Sequence, residues 1–273
     1  MYWRHLGHLP IILVLPALVG ASPMTAQTLL RFNPPSGQVV RYRVVAETWV
    51  VGGDRSVGAD ASLPTIRTTT LETRTVSTVA DDRITYLEVI DSVIAEFPSM
   101  PDEASLAMDA GTLLRGAATE VVITPRGRTV STRAVAGFPR DGIGDVEPRP
   151  QGVSAGGPML LVFPETPVSV GTSWSDSTDL SSPGRVHGST TRTMFRLERM
   201  EGAIAVISLN AVSASETGGA WIMRMTGEVR FDTVSSRLLD YRLEASVSES
   251  GPIGEAGMRT RIVAEVVRSP SRP

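Results

Sequence analysis

After the first 26 residues only one histidine remains, His187, so imidazole chemistry has a single place to occur. As a general base or a ligand at the rim of a site it would serve proton transfer; as an ordinary rim residue it would be satisfied by hydrogen bonds. A zinc site built on imidazoles needs two or three of them in most cases, which the chain lacks. Cysteine is absent, which removes thiolate nucleophiles, disulfides, Fe–S clusters and Cys-ligated zinc. Lysine is absent too, so no phosphate-cradling loop can end in the Gly-Lys pair that NTPases use. Carboxylates offer two further patterns. Asp81-Asp82, or Asp141 and Asp145 with Glu147, could hold calcium, although their spacing is not that of an EF-hand loop and solvated turns explain them as well. Asp176 and Asp179 could pair for glycoside hydrolysis or could simply end a strand. None of these patterns supplies a complete catalytic, metal or cofactor set, and the expectation is a protein without any of the three.

Charge excludes a further class. The 26 basic residues are all arginines, set singly among 29 acids for a net charge of −3, which gives no phosphate-binding stripe and no expectation of nucleic acid as a partner.

What must position any site is preceded by an address. Arg4, His5 and His8 lead into an apolar run from Leu9 to Val19 and then small residues from Gly20 to Ala26, the order of a secretory signal peptide. The run falls short of the ~20 residues that span a bilayer as a helix, and Pro10 and Pro16 interrupt it. Residues 1–26 therefore read as removed, after Ala21 or Ala26, leaving 27–273 as a mature chain without a transmembrane segment, exported to the periplasm or beyond.

From Gly37 the dominant period is two, the mark of strands with one buried face. Trp221, Met223, Met225, Val229 and Phe231 alternate with polar residues; after a turn at Ser235-Ser236, so do Leu239, Tyr241, Leu243, Ala245 and Val247, which predicts a long hairpin. Further strands are expected over 38–51, 65–79, 83–96, 118–124, 128–134, 172–180, 186–200, 203–215 and 257–268, with tight joins at Pro125-Arg126-Gly127 and Glu201-Gly202. Only Asp102–Leu114 reads as helix. The proline- and glycine-rich stretch 136–157 breaks the pattern, leaving one β-rich domain or two β units joined by a loop. So many antiparallel strands must protect their edges. The expected architecture is all-β, a strongly curved antiparallel sheet or incomplete barrel of about eleven strands with the short helix as a plug. A transmembrane barrel is disfavoured, because aromatics make up only 5% of the chain and form no girdle.

The run Pro164-Glu165-Thr166-Pro167-Val168-Ser169-Val170-Gly171-Thr172-Ser173-Trp174 resembles a Pro-x-x-Pro-Val-x-x-Gly-x-x-Trp motif of exported bacterial families of unknown function. Gly227 to Asp232, with the hairpin that follows, is similar as well. The resemblance implies a curved sheet like that of the periplasmic lipoprotein carriers and their lipid-binding relatives, and it implies no catalytic residue.

The apolar interior that the alternation defines includes adaptable methionines: Met194, Met223, Met225 and Met258, with Phe195, Trp221, Phe231 and Tyr241. The first expectation is a non-catalytic protein holding a hydrophobic small molecule or lipid on a concave face lined by Phe195, Leu197, Trp221, Met223, Met225, Phe231, Tyr241 and Leu243, with His187 at the rim. The second is an envelope assembly protein that recruits a protein partner along an exposed strand edge. The third is a hydrolase using His187 with a serine and an acid.

Overall fold

The computed structural model describes residues 27–51, 63–98, 114–137, 161–179, 189–215, 221–251 and 254–267. The period of two becomes eleven strands: β1 (Val39–Val51), β2 (Ile66–Ala80), β3 (Arg83–Glu96), β4 (Ala118–Ile123), β5 (Thr129–Ala136), β6 (Ser173–Asp179), β7 (Ser189–Glu201), β8 (Ile204–Ser215), β9 (Trp221–Asp232), β10 (Arg237–Gly251) and β11 (Gly254–Val266). All pair antiparallel in one sheet, ordered β5-β4-β3-β2-β1-β11-β10-β9-β8-β7-β6. Two meanders thus meet where the first strand lies beside the last, and β5 and β6 form the two edges. The expected helix falls outside the described residues except for Leu114, its final residue.

Ten steps of ~4.8 Å would hold the edges of a flat sheet ~48 Å apart. Instead Arg128, in the turn entering β5, donates a hydrogen bond to Asp176 on β6. The sheet therefore curls almost full circle without a β5–β6 ladder, which fits the expected incomplete barrel. Two extended segments fill the gap at this end. Thr28 and Val168 pair with each other, the Phe32 amide bonds Pro125 O at 2.7 Å, and the Phe163 amide bonds Arg126 O at 2.7 Å. Trp174 at the end of the proline–glycine motif donates its indole N–H to Val162 O at 2.6 Å, so the motif's aromatic fastens this segment to β6.

The inward faces and these segments form one core. Phe32, Phe163 and Phe231 meet with ring centroids 4.8–5.2 Å apart, and Leu30, Leu161, Leu197 and Ile207 are fully buried around them. Two expected positions change. A bulge between Leu238 and Asp240 shifts the phase of β10, so Leu238 rather than Leu239 enters the core at that end. Met194 lies 53% exposed, because its neighbour Phe195 takes the inward side and consecutive strand residues cannot share a face.

Gly227 explains itself by contact. A Cβ there would lie 2.2 Å from Arg242 O and 2.6 Å from Leu243 Cδ2, so the glycine lets β10 approach closely. Gly227→Ala should cost about 1–3 kcal/mol through overpacking. Urea unfolding checks this, and an unchanged midpoint would show that the strands can separate freely at this point.

Candidate functional site

Cross-strand register arranges the inward face in rows. One row runs Leu197, Ile207, Val229, Tyr241, Ala264, Val44, Thr70; the next runs Phe195, Leu209, Gly227, Leu243, Ile262, Ala46, Thr68. Beyond them lie Thr193, Ala211, Met225, Ala245, Thr260, Thr48, and then Thr191, Ser213, Met223, Val247, Met258, Val50. The first rows belong to the core that Leu30, Phe32, Leu161 and Phe163 cover. In the outer rows Met223, Met225, Ala245 and Val247 are half-buried, Met258 is 44% exposed and Val50 61%.

Phe195, Leu197, Phe231, Tyr241 and Leu243 accordingly stand in the solid core, each at most 3% exposed. Trp221, Met223 and Met225 stand together on the inward side at the start of β9, half-buried. Met258 faces inward across from Val247 but at the exposed margin. His187, Asp141, Asp145 and Glu147 lie outside the described residues. Asp176 is buried and bonded to Arg128; nothing is described of the Asp179 side chain. Among the described residues no three His, Asp or Glu side chains gather as a metal site, and no helix is long and apolar enough to cross a membrane.

On β2 and β3 the inward face carries a cluster that hydrophobic periodicity does not announce. Glu72, Arg74 and Glu88 are 4–7% exposed. Arg74 Nε donates to Glu88 at 2.8 Å, and its Nη2 reaches Glu72 at 3.4 Å. The guanidinium lies 5.0 Å from the Tyr42 ring centroid and 5.8 Å from that of Tyr86, and both faces add cation–π attraction. Tyr42 donates its hydroxyl to Leu238 O at 3.1 Å, tying β1 to β10. Burial, aided by Glu88 and Asp91, pushes the Glu72 carboxyl up to about 7 against the pull of Arg74. Burial would lower Arg74, but Glu88, Tyr42 and Glu72 outweigh it and hold the guanidinium above its ordinary range. Burial also raises the phenols of Tyr42, Tyr86 and Tyr241. Two acids share one cation, so the cluster reaches neutrality when one carboxyl keeps its proton. It offers a carboxyl with an altered acidity. The crevice beside it, lined by Tyr42, Arg74, Tyr86 and Arg237, has about 10 Å³ of room, roughly one water. There, among the described residues, Arg237 Nε has no hydrogen-bond partner.

A second groove, of about 420 Å³, lies outside the sheet between Arg31, Asp81, Asp82, Arg126 and Arg128. Its arginines already bond Pro164 O, Glu165 and Asp176. One further sequence pattern adds to the hydrolase reading: Gly152-Val153-Ser154-Ala155-Gly156 has the spacing of a nucleophile elbow. An elbow needs a strand leading into the serine, whereas Pro148 and Pro150 precede this run, which lies outside the described residues. No known protein family matches the chain, and no curated protein does.

Proposed function

We propose that the chain is an exported, non-catalytic binding protein that holds a hydrophobic or lipid-like molecule against the inward face of its curled sheet. One observation carries the reading. Among the described residues the core covers one half of that face, while the other half presents Trp221, Met223, Met225, Ala245 and Val247 half-buried, with Met225 at the border of the core. Methionine's unbranched, polarisable chain suits such a surface to ligands of varied shape. The ligand face thus lies further toward the end of β9 than the full set Phe195 to Leu243 suggests, since five of those residues already pack against the chain itself.

Met225→Asp should remove uptake of the apolar fluorophore phenylnaphthylamine by at least tenfold while leaving the circular dichroism spectrum unchanged. Uptake by a folded Met225→Asp variant equal to that of the parent would end this reading.

A second reading, envelope assembly through a strand edge, is favoured by β5. All eight of its residues are exposed, on both faces, at the margin of the sheet. Crosslinking in cell envelopes from a probe on Val130 separates the two readings: a protein partner supports assembly, and a clean chain with a co-purified apolar molecule supports carriage.

A further inference from the structure

Two hydroxyls stand where the binding surface would hold its ligand. Ser213 and Thr191 face each other across β8 and β7 on the inward side, in the same row as Met223 and Val247. Ser213 is fully buried, yet among the described residues neither its Oγ nor Thr191 Oγ1 has a hydrogen-bond partner. A buried hydroxyl left unbonded costs about 1–3 kcal/mol, and two at adjacent positions make a partner from outside the chain the economical explanation.

We infer that Ser213 and Thr191 form the head-group subsite of the binding surface and take an amphiphile whose head is an uncharged acceptor, such as an ester or amide carbonyl. The inference rests on the binding role proposed above and names the ligand class for it. Hydroxyl donors in an apolar setting reward an acceptor oxygen. The surrounding charges select against an ionised one. Arg192 follows Thr191 and Arg224 follows Met223, but both alternate to the outer face, in register with the exposed Val212. The neighbouring row brings Asp176 beside Thr193 on the inward side, and its carboxylate is bonded to Arg128. Among the described residues a carboxylate head would therefore lose its hydration, meet no cation except Arg128, which Asp176 already holds, and approach an acid. The chain of the same molecule would run along Ala211, Met223 and Met225, which adjoin the hydroxyls in register.

Isothermal titration of the whole mature chain with monolauroylglycerol and with laurate, both below micellar concentration at pH 8, tests the inference, with phenylnaphthylamine as a headless apolar probe. The ester should bind at least tenfold tighter than the acid. Ser213→Ala should weaken the ester five- to tenfold and leave the apolar probe unchanged, and the near-isosteric Thr191→Val should act in the same direction. Because Ser213 Oγ bonds nothing, its removal should not lower the unfolding midpoint. Equal binding of ester and acid, or an ester affinity unmoved in both variants, overturns the head-group subsite while the apolar probe's binding upholds the surface itself. Failure of all three probes to bind overturns the binding role, and this subsite with it.

Discussion

Arg74→Met should destabilise the fold by about 3–5 kcal/mol at pH 8, the largest loss expected from any single substitution on the inward face. The guanidinium is 6% exposed and is the cation for two carboxylates that are themselves 5% and 9% exposed. Removing it takes from the buried Glu72 and Glu88 the cation that both contact, and that penalty exceeds what the intact pairs contribute, because their attraction mostly repays the cost of leaving water. Methionine keeps much of the side-chain volume, so the loss reports charge rather than a cavity. The loss should shrink as the pH falls toward 5, where Glu72 holds its proton. Combining Arg74→Met with Glu72→Gln and Glu88→Gln should restore most of the stability, since the three groups act as one unit and their effects do not add. Urea unfolding of the parent and the two variants at both pH values decides it. A loss under 1 kcal/mol at pH 8 would mean the carboxylates find water or another partner.

The strands were legible because each had to bury one face, and a period of two survives in composition wherever that face is apolar. The hairpin of β9 and β10 shows the method at its best and also where it stops. Its partners and extent follow from alternation, but the bulge after Leu238 does not, since a single extra residue changes phase without changing composition. The Glu72–Arg74–Glu88 cluster was hidden for the opposite reason. Around it β2 reads Thr70, Leu71, Glu72, Thr73, Arg74, Thr75, polar on both faces, so nothing marks the inward one. A charged residue in such a strand predicts exposure on average, and only the third dimension brings Arg74 between two acids and two tyrosines. The same holds for the filling of the core. Phe32 and Phe163 lie in segments with no periodicity, yet they occupy the interior that the sequence offered to a ligand. For the candidate site, the alternation in β9 placed Trp221, Met223 and Met225 on the inward face, where register and burial also put them. How far along that face a ligand could reach depended on non-strand residues, whose packing leaves no periodic trace.

The cluster also fixes how stability should vary with pH. Glu72 titrates near its ordinary 4.5 when the chain is unfolded and at about 7 in the fold. Below 4.5 both states hold the proton and the group contributes no pH dependence. Between 4.5 and 7 the unfolded chain ionises while the fold does not, so stability falls as pH rises, by up to about 1.4 kcal/mol per pH unit. Above about 7 the loss is complete, at about 3 kcal/mol. Asp232 runs the other way: hydrogen bonds from Ser235 and Val234 hold its carboxyl below the ordinary value despite burial, so its contribution is lost only as pH drops below about 4. Of these two groups, it is Glu72 that shapes the window from pH 5 to 8. Glu72→Gln, which keeps the shape and removes the titration, should match the parent near pH 5 and exceed it by about 2–3 kcal/mol at pH 8. Taking the difference between the two proteins cancels any group they share, His187 included. Unfolding free energies at half-unit steps across the window are the measurement, and parallel curves for parent and variant would show that the shared proton does not reside on Glu72. The same curves bear on the Arg74 result, because the proton that the cluster retains is what lets two acids sit beside one cation in a nearly dry interior.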